Sequence, residues 1–281
     1  MKRAEYDAVE AVNATTLKRL LIDGPAACLE PARPTPAMDK GRALHCCVLE
    51  PDKWTHEWTY YDGVRRGKKW EAYREEHANQ EFLAPAEYRH IEWLSRRVLA
   101  HPIAGKMLRD LHRAGLVDRP TGTEITLQWE HRATGLQIKS RLDFVAPDFW
   151  GDLKTSSAAP ATYDPMTLES EASRQFVNDC WRREYPVQLA LYADGLAECG
   201  YGAPPCKLIA VQTTEPHMVA VLRVPEEWLD IGRQRYEQAL AIYAECLERD
   251  QWPAIAENKE LDMWTPSWVV PEQELDLAEA S

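Results

Sequence analysis

Three consecutive segments between residues 123 and 155 alternate apolar and polar side chains with a period of two. Few folds accommodate such a block. In TEITLQWEH (123–131), Ile125, Leu127 and Trp129 fall on one side, and Glu124, Thr126, Gln128 and Glu130 on the other. In GLQIKSRLDFV (135–145), Ile138, Leu142 and Phe144 alternate with Lys139, Arg141 and Asp143. FWGDLKT (149–155) sets Asp152 and Lys154 opposite Leu153. Successive side chains of a strand point to opposite faces, so the pattern predicts three neighbouring strands, each with one charged face.

Around this block the period is helical. Apolar spacing predicts helices near 14–23, 38–51, 60–78, 85–99 and 102–114, with Pro51 closing the second and Pro102 marking a boundary. The 60–78 stretch runs from a turn through a basic patch into an amphipathic helix. Helical spacing returns at 173–181 and 185–199. Strands follow at 207–215 and 217–224, joined by a tight turn, and a long helix covers 226–249. This order makes an α/β fold, which we read as one domain over residues 1–281. Its acidic tail beyond Pro266 is expected to be loosely held.

Composition narrows the function classes. With 45% apolar and 28% charged residues, the chain can bury a core and is not broadly disordered. Its start, MKRAEYDAVEAVNATTLKRL, has no continuous apolar stretch, and no run approaches the roughly 20 residues of a membrane span. A cytoplasmic protein is therefore expected. Seven cysteines without a C-x-x-C spacing read as reduced packing thiols rather than iron–sulfur ligands. A net charge of −12 argues against non-specific coating of nucleic acid, though not against basic residues gathered along one groove. Eleven scattered tryptophans do not form the aromatic strand face of a sugar-binding protein.

The charged strand faces carry the chemistry. Asp143 and Asp152, with Glu124 as a third acid, could converge on a divalent cation. Magnesium takes oxygen ligands, usually one or two carboxylates plus water and substrate phosphate. Lys154 could orient or deprotonate a water, or offset charge building on phosphorus. Such a set suits metal-assisted phosphodiester hydrolysis. By itself, the spacing also describes an exposed strand face with incidental ion pairs.

Two helical stretches add to it. GRALHCCVLEP places Gly41 one turn before His45, and YPVQLALYADGL places Tyr185, Gln188 and Tyr192 on one stripe. Together, G-x-x-x-H (Gly41 to His45), Glu124, Asp143, Asp152-Leu153-Lys154 and Q-x-x-x-Y (Gln188 to Tyr192) resemble the PD-(D/E)xK nuclease superfamily. Within its RecB-like branch the chain looks most like the phage-type recombination exonucleases, the RecE (exonuclease VIII) and lambda exonuclease group. The likeness spans about residues 13–250, with FWGDLKTS and YPVQLALYADGL its most specific pieces. One departure, Asp152 where the family often has Glu, is common in that branch.

The resemblance implies a restriction-endonuclease-like core, a central mixed β-sheet flanked by helices. It implies that Asp143 and Asp152 bind catalytic Mg2+, with Mn2+ as a substitute, joined by the Leu153 peptide oxygen and His45. Glu124 would serve a second ion. Lys154 would position the attacking water, and Gln188 and Tyr192 would order the site or touch DNA. Plainer readings stay open: His45 and Tyr192 as core packing, Glu124 as a solvated strand residue.

For DNA contact, VRRGKKW offers Arg65, Arg66, Lys68 and Lys69 to phosphates and Trp70 to a frayed base, or is simply a solvated helix start. Arg42 and Arg141 are further phosphate candidates, although Arg141 and Lys139 could instead pair with the acids. The resemblance implies 5′→3′ digestion of double-stranded DNA ends by a homo-oligomeric ring, trimer or tetramer, partnered by a RecT- or Bet-like single-strand annealing protein. A RecB-like endonuclease or repair nuclease of other polarity, and an inactive DNA-end-binding scaffold, are the alternatives.

Overall fold

The computed structural model describes residues 3–31, 35–113, 121–202, 204–257 and 259–265. The tail expected beyond Pro266 lies outside them. Helices α1 (Arg3–Ala8), α2 (Ala14–Asp23), α3 (Pro36–Leu49) and α4 (Pro51–Glu57) lead into strand β1 (Trp58–Tyr60) and helix α5 (Lys68–Glu76). Strand β2 (Glu81–Leu83) pairs with β1 in parallel, and α6 (Pro85–Ala100) and α7 (Pro102–Arg113) follow. Then come β3 (Gly122–Glu130), β4 (Gln137–Val145) and β5 (Trp150–Ser156), and a hairpin of β6 (Ala161–Asp164) and β7 (Glu169–Ala172). Helices α8 (Arg174–Arg182) and α9 (Tyr185–Glu198), strands β8 (Cys206–Gln212) and β9 (Val219–Arg223), and α10 (Glu226–Arg249) complete the order.

The main sheet runs β3-β4-β5-β8-β9, with β5 and β8 parallel and the other neighbours antiparallel. Parallel neighbours need a long crossover, here supplied by α8 and α9. On one side of the sheet, Phe144, Leu153, Ile209 and Val211 pack with α3, α6 and α7. On the other, Ile138, Leu142, Trp150 and Leu208 pack with α2, α9 and α10. The expected mixed sheet flanked by helices is the one that forms.

Several elements differ from expectation, each for a local reason. Pro51 ends α3 but also begins α4, because the first turn of a helix has no use for the missing N–H. β1 and β2 are three residues each, and β6 and β7 are largely exposed, so none leaves an apolar period of two. The helix within 60–78 is short and fully buries no residue. The charged face of β4 is not a solvent face either, since Ile138 to Val145 are all buried. Its alternation also lapses: Leu142 and Phe144, expected on one face, join opposite cores. The β3–β4 ladder skips Glu124 and Asp143 there, and Glu124 takes a left-handed φ of 55°, rare for a residue with a side chain.

Candidate active site

β4 and β5 pair only through Phe144↔Gly151 and Val145↔Trp150, then part at Asp143. Gly151 sits in register between Phe144 and Lys207, where a β-carbon would come within 1.8 Å of the Lys207 carbonyl oxygen. Only glycine lets three backbones run this close. Beyond it, the Asp143 carboxylate fills the gap, accepting a hydrogen bond from the Leu153 N–H through Oδ2 at 2.7 Å. The Leu153 peptide is thus fixed against Asp143, while its side chain is wholly buried.

Asp143 and Asp152 are 8% and 1% exposed, and an unpaired carboxylate that deep costs several kcal/mol. Each is paired. His45, one turn along α3 from Gly41, brings Nδ1 to 3.2 Å from Asp143 Oδ2. Lys154 Nζ lies 2.7 Å from Asp152 Oδ1, and Gln188 on α9 donates through Nε2 to Asp152 Oδ2 at 2.6 Å. Gln188 Oε1 accepts in turn from Lys154 Nζ at 3.4 Å and from Lys18 Nζ, on α2, at 2.9 Å. Glu124 accepts a short hydrogen bond from Arg141 Nε, and Glu50 lies 4.0 Å from Arg141 Nη2.

The electrostatics follow from this crowding. Burial would raise Asp143, but the charge and hydrogen bond of His45, with Lys154, hold it below the usual carboxylate range. Burial, then the charge of Asp143, pushes Glu124 and Asp152 up toward neutrality. Burial would discharge His45, but Asp143 outweighs it and raises the imidazole to about 9. Lys154 is likewise held protonated: burial opposes its charge, and Asp152, Tyr185 and Asp143 prevail. Burial and then the charge of Lys154 bring Lys18 down to about 7.

His45, Glu124 and Asp143 each offer a ligand atom, and these atoms lie within 4.8 Å of one another. An imidazole and two carboxylates, one of them reluctant to ionise alone, form a donor set that fits a hard divalent cation. Asp152 lies outside this trio, with both its oxygens already engaged by Lys154 and Gln188. The DLK triplet on β5 and the Asp143 carboxylate across the gap on β4 are residues on which the resemblance to the PD-(D/E)xK nucleases rests.

A family model described as a PDDEXK-like domain of unknown function (DUF3799) matches residues 22–262. The chain belongs to this family. Among solved structures, it is similar to a crystal structure from Eubacterium rectale of a protein provisionally named an exonuclease. The TM-score is 0.61 at 10% identity, with 95% of this chain and 96% of that one covered, which shows a shared fold. None of the curated proteins matches.

The other expected residues sort by burial. Tyr192 is 9% exposed and belongs to the buried cluster beneath α9, with its phenol near Asp152, Tyr6, Asp143 and Glu124. Burial first, then the nearby charge of Asp152, pushes its phenol well above the ordinary value. Arg141 is buried beside Glu124, which accepts from its Nε, so of its two expected contacts the structure shows the pairing with an acid. Lys139 Nζ donates to the carbonyls of Tyr6 and Val9, tying down the end of α1. Arg42 is exposed but engaged by Glu81 and Asp39 and set over Trp58. Arg65 donates to the Leu83 carbonyl and lies over Trp70. Trp70 is half-buried, with ring centroids 5.3 Å from Tyr61 and 5.2 Å from Phe82, so it packs instead of offering a free face. Arg66, Lys68 and Lys69 are exposed. Lys18 and Glu50 went unforeseen; each is one polar residue in a helical pattern, with no spacing to single it out.

Proposed function

We propose that this chain is a divalent-cation-dependent nuclease that hydrolyses DNA phosphodiesters. The observation that carries this reading is the fork, in which His45, Glu124 and Asp143 gather at one gap and Asp152 and Lys154 stand on the adjoining strand. His45, Glu124 and Asp143 would hold a cation, with Asp152 and the Leu153 carbonyl as neighbouring oxygen donors. Bound there, Mg2+ or Mn2+ would supply Lewis-acid activation of water and charge for the phosphate. Lys154 keeps its proton, so it orients the attacking water or offsets charge on phosphorus and does not serve as the base. Gln188 holds Asp152 in place. An open recess of about 530 Å³ beside Glu124, walled also by Lys53, Thr126 and Gln128, gives a strand a path to the site.

The finer reading is a 5′→3′ double-strand exonuclease that leaves 3′ single strands for phage-type recombination. It follows from the RecE-like order of motifs. Duplex ends, a ring of identical subunits, a single-strand annealing partner and the bacterial cytosol belong to that same reading. No helix among the described residues is long and apolar enough to cross a membrane.

The deciding experiment incubates linear duplexes, labelled at the 5′ or the 3′ end, and a closed circle with Mg2+, Mn2+, Ca2+ or chelator. Early release of 5′ label, an intact circle and no cleavage in chelator are expected. Cutting of the circle would establish an endonuclease, and loss of 3′ label first would reverse the polarity. No cleavage with any cation would refute nuclease function.

A further inference from the structure

Lys18 belongs to no motif of the site, yet its ammonium reaches into it. Nζ donates to Gln188 Oε1 over 2.9 Å and lies 5.6 Å from the centre of the Tyr185 ring. Lys154 Nζ flanks the same ring at 4.5 Å. The side-chain amide of Gln188 has a donor end and an acceptor end of nearly equal shape. Were the ends exchanged, Oε1 would face Asp152 Oδ2, acceptor against acceptor, with Asp152 only 1% exposed.

Asp152 favours this orientation from one side, and a donor on the far side is what holds Oε1 in it. Lys154 is a weak candidate: its short contact goes to Asp152 at 2.7 Å, and Gln188 Oε1 is 3.4 Å away. Lys18 makes the shorter bond to that oxygen. The turn that presents Gln188 is itself held firmly. Glu184, the residue before α9, adopts a left-handed φ of 53° and is buried, accepting from Arg235 Nε at 2.8 Å.

We propose that Lys18 is a positioning residue of the active site: by occupying Gln188 Oε1 it keeps Gln188 Nε2 on Asp152, and so fixes that carboxylate beside Lys154. This rests on the nuclease reading and adds to it a residue from α2, outside the strand fork and its two motif helices. The side chain acts through Gln188 and need not touch DNA.

Lys18→Met keeps the apolar stem and removes the donor, whereas Lys18→Arg keeps a donor. For Lys18→Met we expect kcat to fall about tenfold, the scale of losing a supporting hydrogen bond, with KM for duplex DNA within about twofold. Lys18→Arg should recover most of that loss. In a Gln188→Met background, Lys18→Met should cost less than about twofold more, because both act through one contact. Gln188→Glu, which would draw both lysines and leave Asp152 without its amide donor, should match the Lys18→Met loss with Lys18 intact. A readout without turnover is Mn2+ titration of the DNA-free protein, where Lys18→Met and Gln188→Met should weaken binding alike. Unchanged kcat, a rise in KM alone, or losses that multiply in the double variant would each overturn the proposal. If the parent cleaves no DNA with Mg2+ or Mn2+, the nuclease reading falls, and the Mn2+ titration still decides the role of Lys18.

Discussion

The β4–β5 fork and the basic segment that runs into α5 both concentrate charge, but at opposite cost. At the fork, Asp143 and Asp152 are buried and every carboxylate meets a cation or an N–H. Leaving one such charge unpaired costs about 3–5 kcal/mol. At the start of α5, Arg66, Lys68 and Lys69 stand in solvent, where an ion pair is worth about 0–1 kcal/mol. The fork can be this polar because neighbouring strands, α3 and α9 hold its side chains in one arrangement. The basic segment relies on an aromatic cluster, Tyr61, Trp70, Tyr73 and Phe82, for its packing. Charge bought at high cost implies chemistry; charge left in water implies at most attraction.

The largest effect should therefore come from the fork. Asp143→Asn removes a carboxylate of the cation trio, the acceptor for Leu153 N–H and the partner of His45 in one step. Single-turnover cleavage should fall on the order of 10³-fold or more, at or beyond the loss of one catalytic hydrogen-bond donor. Residual cleavage within about tenfold of the parent would remove the fork from the chemistry. Asp152→Asn should be nearly as damaging, since it leaves Lys154 without its closest anion.

Proton uptake offers the next contrast. Burial and then the charge of Asp143 raise Glu124 and Asp152, so both retain protons further toward neutrality than exposed acids do. A folded-state value raised above the unfolded one contributes stability at low pH that is lost as pH rises through it. Without a cation, these two acids thus weaken the fold between mildly acid and neutral pH. A divalent ion must displace their protons and that of His45, so its affinity should climb with pH. Mn2+ calorimetry in buffers of different ionisation enthalpy should show more protons released per ion near about pH 6 than about pH 8. Equal release at both would mean that the ion binds elsewhere.

The same contrast explains what the sequence disclosed. The block of alternating strands was legible because apolar residues recur every second position, and the PDDEXK-like motifs because buried polar residues recur in fixed order. His45, Asp143, Asp152, Lys154 and Gln188 do meet at one place. The parting of β4 and β5 at Asp143 was not legible, nor was the lapse of the β3–β4 ladder at Glu124, whose left-handed φ no periodicity signals. For the same reason Phe144 was assigned to the wrong face. Lys18 was hidden because its significance lies in where α2 docks, a tertiary fact. The basic run was conspicuous as composition, yet a charge run alone cannot say which members are free. The structure takes Trp70 and Arg65 into local contacts and leaves Arg66, Lys68 and Lys69 in solvent.

The smallest expected effect tests that last division. Replacing Arg66, Lys68 and Lys69 together by alanine should leave kcat at saturating DNA unchanged while weakening duplex affinity about tenfold at low salt. If all three neutralise phosphates, the slope of log K against log salt should shrink by about 0.9 for each. Trp70→Ala should do the reverse, lowering the melting temperature through its lost contacts with Tyr61 and Phe82 but leaving the salt slope alone. Binding is best measured with Ca2+ in place of Mg2+, so that turnover does not consume the duplex. An unaltered slope in the triple variant would make the segment a solvated turn and move the DNA path to the recess beside Glu124, where Lys53 is the cation to replace next.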